Sequence, residues 1–420
     1  MAEFSLHTDE EIMRRMENRR SLFVCASGIP LSECDGWGYD ARTGSIRTPA
    51  GNFFRIVGAT GVLCSGESFA QPLLIQDETG ILGLLARKIR GVWHFLVQAK
   101  IEPGNENIVQ LSPTAQATYS NYTRSHGGAA PPFAEFFLEK RGRVAADTVQ
   151  YEQCSRYLAK RNRNMILLTE EDVPESYSHF YVTLAQLARF MPTGAVNLDV
   201  RLLLSLFPFS PKADCSGLEK RLSGYISAHP FRRELCGLEK LADWGFDGSG
   251  FSCRRTAPFG IVFRRVRIDG REVPCWCQPL MAGGGGLYGC YVRQNGDEPE
   301  FLCRVVSEPG CRDGALIGPA VFTEPGGAGD EFSACFENAL SRGDGVLFNA
   351  ELPEDGGRSW HEKNRYALIM HAGEPIPDDA FWAGAGEIAG AIAETDVCSM
   401  QLRSLYALYY LASDITPVDF

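Results

Sequence analysis

The 420-residue chain is poor in several things, and each shortage removes a class of function. No apolar run approaches the length of a bilayer span, so no membrane helix is expected. Lys and Arg together number 41 against 52 Asp and Glu, a formal net charge of −11. That balance excludes a general nucleic-acid binder, which needs clustered cations to meet phosphates. Fourteen cysteines are present, yet no two stand in a C-x-x-C arrangement. The tightest pair, Cys275-Trp276-Cys277, has no histidine at finger spacing, so reduced, buried thiols and no metal site are expected. The opening MAEFSLHTDEEIMRRMENRR carries charge throughout and reads as a helix, not a signal peptide. Thr8 with Glu11 fits a capping box at its start. The expected location is the cytoplasm.

Charge is also scarce locally. FLVQAKIE, residues 95–102, alternates like a half-buried strand. The stretch that follows reads as a loop filled with Asn105, Asn107, Gln110, Ser112, Thr114, Gln116, Asn121 and Tyr122. Solvated loops are ordinarily rich in Lys and Glu, so this many neutral donors and acceptors suggests a ligand.

What the chain has in abundance is itself. Trp37–Asp40 (WGYD) returns as Trp244–Asp247 (WGFD), and Gln71-Pro72-Leu73 as Gln278-Pro279-Leu280, both 207 residues later. Glu102-Pro103-Gly104 returns as Glu308-Pro309-Gly310 after 206 residues. Asn162-Arg163 returns as Asn364-Arg365, and Arg201 as Arg403, after 202. Five echoes in one order imply a tandem duplication. The seam lies in the proline-bracketed stretch 207–217, giving expected domains of 1–212 and 213–420. Each half reads as strands followed by two amphipathic helices, an α/β (α+β) architecture.

The copies differ where the polar stretch lies. At an offset of 206, Gln98 becomes Arg304, Gln110 becomes Leu316, Thr114 becomes Ala320 and Gln116 becomes Phe322, while Pro113 persists as Pro319. Groups needed only for the local fold would be needed twice. A polar pocket is therefore expected in the first half, with a degenerate one in the second.

The segments QAKIEPGN, VQLSPTAQAT and SNYT, with CDGWGYDARTGSIRTPAGNFFRIVG, KRNRNMILL and GGRSWHEKNRYALIM, resemble the NDP-hexose 2,3-dehydratase family of deoxysugar biosynthesis. The likeness spans nearly the whole chain. It implies tandem Nudix-like α/β/α sandwich domains, a homodimer, no cofactor, and a dTDP-linked 4-keto-6-deoxyhexose as substrate. The implied reaction removes the C2 hydroxyl as water and leaves a 3,4-diketo-2,6-dideoxyhexose for a downstream 3-ketoreductase.

For the proton transfers the first half offers Tyr122, His126 and Lys100, in that order of preference, and Glu102, which its echo Glu308 could instead make a turn residue. Gln98, Asn105, Gln110, Thr114, Gln116 and Asn121 form the sugar-contact set. Arg124 and Arg163, with Arg161, Arg87 and Lys88, could meet the diphosphate, although an echoed arginine is as readily a structural ion pair. Trp93 or Trp37 could stack on thymine, and a place in the core is the commoner fate of tryptophan. A Nudix-type hydrolase is the nearest rival, but the glutamates of its metal-binding helix would fall at Gly237 and Leu238. Gly384-Ala385-Gly386 imitates a dinucleotide loop, but the preceding EPIPDDAFW does not read as a strand. A non-catalytic nucleotide-sugar-binding or scaffolding protein is the remaining alternative.

Overall fold

The computed structural model describes residues 4–51, 53–122, 131–327 and 329–413. It is a mixed α/β molecule of two similar halves. In the first half a large sheet runs in the order Arg143–Tyr151, Arg161–Leu168, Ile81–Ile89, Val92–Ile101 and His179–Thr183. In the second the order is Val346–Pro353, Lys363–Met370, Leu287–Asn295, Glu298–Ser307 and Phe381–Gly384. Each contains one parallel pair, Arg161–Leu168 beside Ile81–Ile89 and Lys363–Met370 beside Leu287–Asn295. The remaining pairs are antiparallel, and their register is held because one face of each strand is buried.

The expected helices form, with shifted ends. Thr183 caps Leu184–Phe190 through a capping box, and Asn197 caps Leu198–Leu204. Their counterparts are Ala385–Glu394 and Met400–Ala412. The strand His179–Thr183 runs directly into the first of these helices, and the N-cap geometry of Thr183 fixes where the helix begins. Thr8 forms the expected capping box of Asp9–Arg20, which turns Ile12 and Met16, four residues apart, into the core. The central helices pack against one another across the halves, and one large apolar cluster draws residues from both.

The polar stretch is not a loop. Val109–Ser112 pairs with Val92–Ile101, and Ala115–Ala117 pairs with Ile81–Ile89. Val109, Leu111, Ala115 and Ala117 are buried, and this half-apolar alternation was masked in the sequence by the conspicuous amides.

Each half also lends a strand. Phe23–Gly28 joins the second half's smaller sheet along Phe259–Ile268, and Arg232–Cys236 joins the first half's along Arg55–Val62. The echoed residues hold this exchange. Trp37 Nε1 donates to the Cys277 carbonyl (3.0 Å) and Trp244 Nε1 to that of Ala70 (2.9 Å). Buried Arg201 donates to the Pro353 carbonyl (2.7 Å), and buried Arg403 to Asn164 Oδ1 (3.0 Å). Gly104 N–H donates to the Gly356 carbonyl (2.9 Å) and Gly310 N–H to that of Cys154 (2.8 Å). A Cβ on Gly104 would stand 1.6 Å from the Ser359 carbonyl oxygen, and one on Gly310 1.9 Å from that of Tyr157. Only glycine fits at either crossing.

Candidate active site

A cavity of about 170 Å³ opens where the first half's large sheet meets the segment 355–358 of the second. The strand Val92–Ile101 brings Lys100 to it, and the turn that follows brings Glu102. Lys100 Nζ lies 2.5 Å from Glu102 Oε1 and donates to Gln116 Oε1, on the facing strand Ala115–Ala117. Gln116 Nε2 donates in turn to Asp199 Oδ2 at 2.7 Å, at the start of the helix Leu198–Leu204. The connection between Arg143–Tyr151 and Arg161–Leu168 supplies Glu152, Tyr157 and Lys160. Asn162 spans that connection: its Oδ1 accepts from Gly80 N–H (3.0 Å) and its Nδ2 donates to Glu152 Oε1 (2.6 Å). The second half adds Asp355, Gly357 and Arg358. Tyr157 Oη donates to Asp355 Oδ2 at 3.3 Å, joining the two contributions.

Burial separates the acids electrostatically. Burial and the neighbouring Glu102 push Asp355 up to about 7. Burial, then Glu152 and Asp355, raise Asp199 well above the ordinary carboxylate value and favour its protonated form. For Glu102 burial acts upward as well, but the Lys100 charge outweighs it and the carboxyl is held low. Burial lowers the Lys160 ammonium against the opposing pull of Glu152. One cleft thus holds acids shifted in opposite directions, Glu102 downward and Asp199 and Asp355 upward, a division that suits proton transfer in both directions. Arg358 lies with its Nε unpartnered and its guanidinium over the Phe54 ring at 4.6 Å.

Of the residues singled out from sequence, Lys100, Glu102 and Gln116 meet in this cleft. Gln110 faces elsewhere, accepting from Asn197 Nδ2 (3.0 Å) and donating to the Gly194 carbonyl (3.3 Å). Thr114 is buried between strands, its Oγ1 accepting from Leu85 N–H (2.9 Å) and donating to the Leu96 carbonyl. Asn105 lines a neighbouring smaller cavity with His361 and Lys363. Gln98 is half-buried on its strand, outside both cavities. Arg163 makes a two-pronged contact with Asp147, both distances 2.6 Å, and Trp93 packs edge-on to Phe207. Tyr122, in the helix Tyr119–Tyr122, packs edge-on to Tyr119 (5.3 Å) and against the apolar cluster that contains Phe136 and Phe137. Asn121 is described only by its backbone in that helix, and Arg124 and His126 lie outside the described residues.

Sequence reasoning missed Tyr157, Asp199, Asp355 and Arg358. A signal existed: the echoed Asn162 and Arg201 flank the segments that carry them, but an echo marks shared structure and says nothing of its unshared neighbours. The equivalent place in the second half carries aromatic rings. Tyr288, Phe322 and Tyr366 stand where the first half has Leu82, Gln116 and Asn164, with rings 5.1 and 5.4 Å apart around Tyr288. Buried Arg156 plugs the rest, bonding Glu362 (3.0 Å) and Glu324 (3.2 Å).

The family model described as NDP-hexose 2,3-dehydratase matches residues 10–207 and again 217–409. A Saccharopolyspora spinosa protein named dTDP-4-dehydro-6-deoxy-alpha-D-glucopyranose 2,3-dehydratase is 31% identical over 420 residues, covering 90% of this chain and 86% of its own. A Streptomyces violaceoruber protein of the same name is 32% identical over 90% of this chain and 91% of its own. One from Amycolatopsis orientalis, again so named, is 32% identical over 90% and 85%. Two tandem matches, together spanning both halves built around this cleft, establish that the chain belongs to the NDP-hexose 2,3-dehydratase family.

Proposed function

We propose that the protein is a hydro-lyase that removes water across C2 and C3 of dTDP-4-keto-6-deoxy-D-glucose, working in the first-half cleft. The observation that carries this reading is the cleft's cluster of buried acids, Glu102, Asp199 and Asp355, beside a lysine and a primary amide. The C3 hydrogen lies next to the C4 ketone, so its removal needs a base and a donor for the developing enolate oxygen. Asp355, aligned by Tyr157, takes the proton as its carboxylate. Lys100 and Gln116 donate to the C4 oxygen, where preorganised donors contribute most as charge develops. Neutral Asp199 then protonates the departing C2 hydroxyl. The bond between C2 and C3 becomes the double bond of an enol, which tautomerises to the 3,4-diketone. The substrate's own ketone serves as electron sink.

Arg358 and Lys160 are the cations for the diphosphate. Arg124 and His126 remain candidates on sequence grounds alone. The mixed sheet with helices against it in each half supports a Nudix-type sandwich, divided at 212/213. The family resemblance supports a cytoplasmic homodimer that passes the diketone to a 3-ketoreductase.

Turnover in D2O with an aromatic 1,2-diamine tests the reaction. The 1,2-diketone is expected as its condensation product, deuterated at C2. Recovery of unchanged substrate bound to the protein would favour the scaffolding alternative, and release of dTMP a hydrolase.

A further inference from the structure

Glu308 raises a question that the cleft chemistry does not answer. It echoes Glu102, yet the position matching Lys100 is Val306, so the second half kept the acid and lost its lysine. The residue matching Asn105 is Cys311, and Cys154 stands where the second half's connection has Gly356. Both sulfurs therefore appear at positions that are not ligands in the other copy. The Cys154 and Cys311 sulfurs and a Glu308 carboxylate oxygen all lie within 4.8 Å of one another. The three residues are 1%, 1% and 2% exposed. Ser155 hydrogen-bonds the Glu308 carboxyl, but the carboxyl's Oε1 has no hydrogen-bond partner, which is costly for a buried polar atom unless something else meets it. None of the three lines the cleft.

We propose that Cys154, Cys311 and Glu308 form a buried structural site for a thiophilic divalent cation such as Zn2+, fastening the two halves together. Soft sulfur with one hard oxygen suits zinc, whose bonds run about 2.3 Å to sulfur and about 2.0–2.2 Å to oxygen. Those lengths need ligand atoms roughly 3.5 Å apart, so the cluster has only to contract by about an ångström. The scaffold is prepared for this. Gly310 N–H donates to the Cys154 carbonyl (2.8 Å), and Cys311 N–H to that of Glu308 (3.2 Å), which sets all three side chains around one point. Binding releases to solvent the protons that the two thiols and the Glu308 carboxyl hold and changes no oxidation state. Two thiolates and a carboxylate exceed the metal's charge by one, and Arg233 compensates from beside the site, donating to the Cys311 (2.6 Å) and Pro309 (2.9 Å) carbonyls. Cysteine spacing gave no hint of it, because the two thiols stand 311 − 154 = 157 residues apart.

The test is metal analysis of the full chain, purified under reducing conditions without a histidine tag. One zinc per chain is expected, and protein refolded with Co2+ should show a thiolate-to-cobalt charge-transfer band in the near ultraviolet. The C154S/C311S variant should lose both signals while keeping its far-ultraviolet circular dichroism. If that variant does not fold, the wild-type zinc content and cobalt band decide the matter alone. Metal-free wild-type protein with both thiols titratable after denaturation would overturn the proposal, as would a Cys154–Cys311 disulfide or zinc retained by a folded double variant.

Discussion

Asp355 reaches the first-half cleft from the second half, and its chemistry is set by burial and the nearby Glu102 charge. As the base it must be ionised, so kcat/KM should climb as pH rises through about 7. Asp355→Asn should lose that inflection and about 10²–10⁴-fold in turnover, with KM changed little. A pH–rate profile of both proteins checks this. Gln116→Phe installs the residue found in the second copy, and with it the loss of an enolate donor. It should reduce turnover by about 10²–10³-fold, as for deletion of other preorganised donors, whereas Phe322→Gln should leave turnover unchanged. His179 illustrates the opposite sign of burial. Its ring is buried and lowered to about 4, with the Thr114 carbonyl opposing the shift. A base whose folded value is depressed binds its proton better when unfolded, so stability present above about 6.5 is lost as pH falls toward 4. Urea unfolding at successive pH values should show this loss, and His179→Gln should flatten it.

At the scale of elements, the crossings at Gly104 and Gly310 decide how closely each half approaches the other's connecting segment. Gly104→Ala places a methyl against the Ser359 carbonyl and should destabilise by roughly 1–3 kcal/mol, as overpacking generally does. Gly224→Ala is the control: it sits in the helix Ser216–Ala228 with open space around it and should stabilise by up to about 1 kcal/mol. Chemical denaturation of the two variants compares the signs. These elements also show what sequence could reveal. The helices after each half were legible because apolar spacing and caps are local, and the duplication was legible because echoes survive in order. The strands Val109–Ser112 and Ala115–Ala117 were obscured, since their polar side chains are satisfied by distant groups such as Gly194 and Asp199. Gln110 and Gln116 looked alike in sequence. Their register sends one into the fold's internal bonding and the other into the cleft.

For the whole molecule, the exchanged strands make the halves interdependent. Residues 1–212 expressed alone would leave the edge of Arg55–Val62 without Arg232–Cys236, and the cleft without Asp355 and Arg358. An open edge of this kind invites aggregation. The fragment should therefore be inactive and aggregation-prone, and co-expression with 213–420 should restore soluble protein and turnover. The second half has a role in this picture: Tyr366 Oη donates to Glu354 Oε1 (3.0 Å), next to the segment 355–358 that reaches into the partner half. Such reach across 200 residues of chain was hidden in sequence, because no local pattern marks a loop that serves the other copy. The position of bound dTDP in a crystal of the full chain tests the account most directly. Its diphosphate should lie against Lys160 and Arg358 in the first-half cleft. Nucleotide seated only in the second half, beside Tyr288 and Arg156, would contradict it.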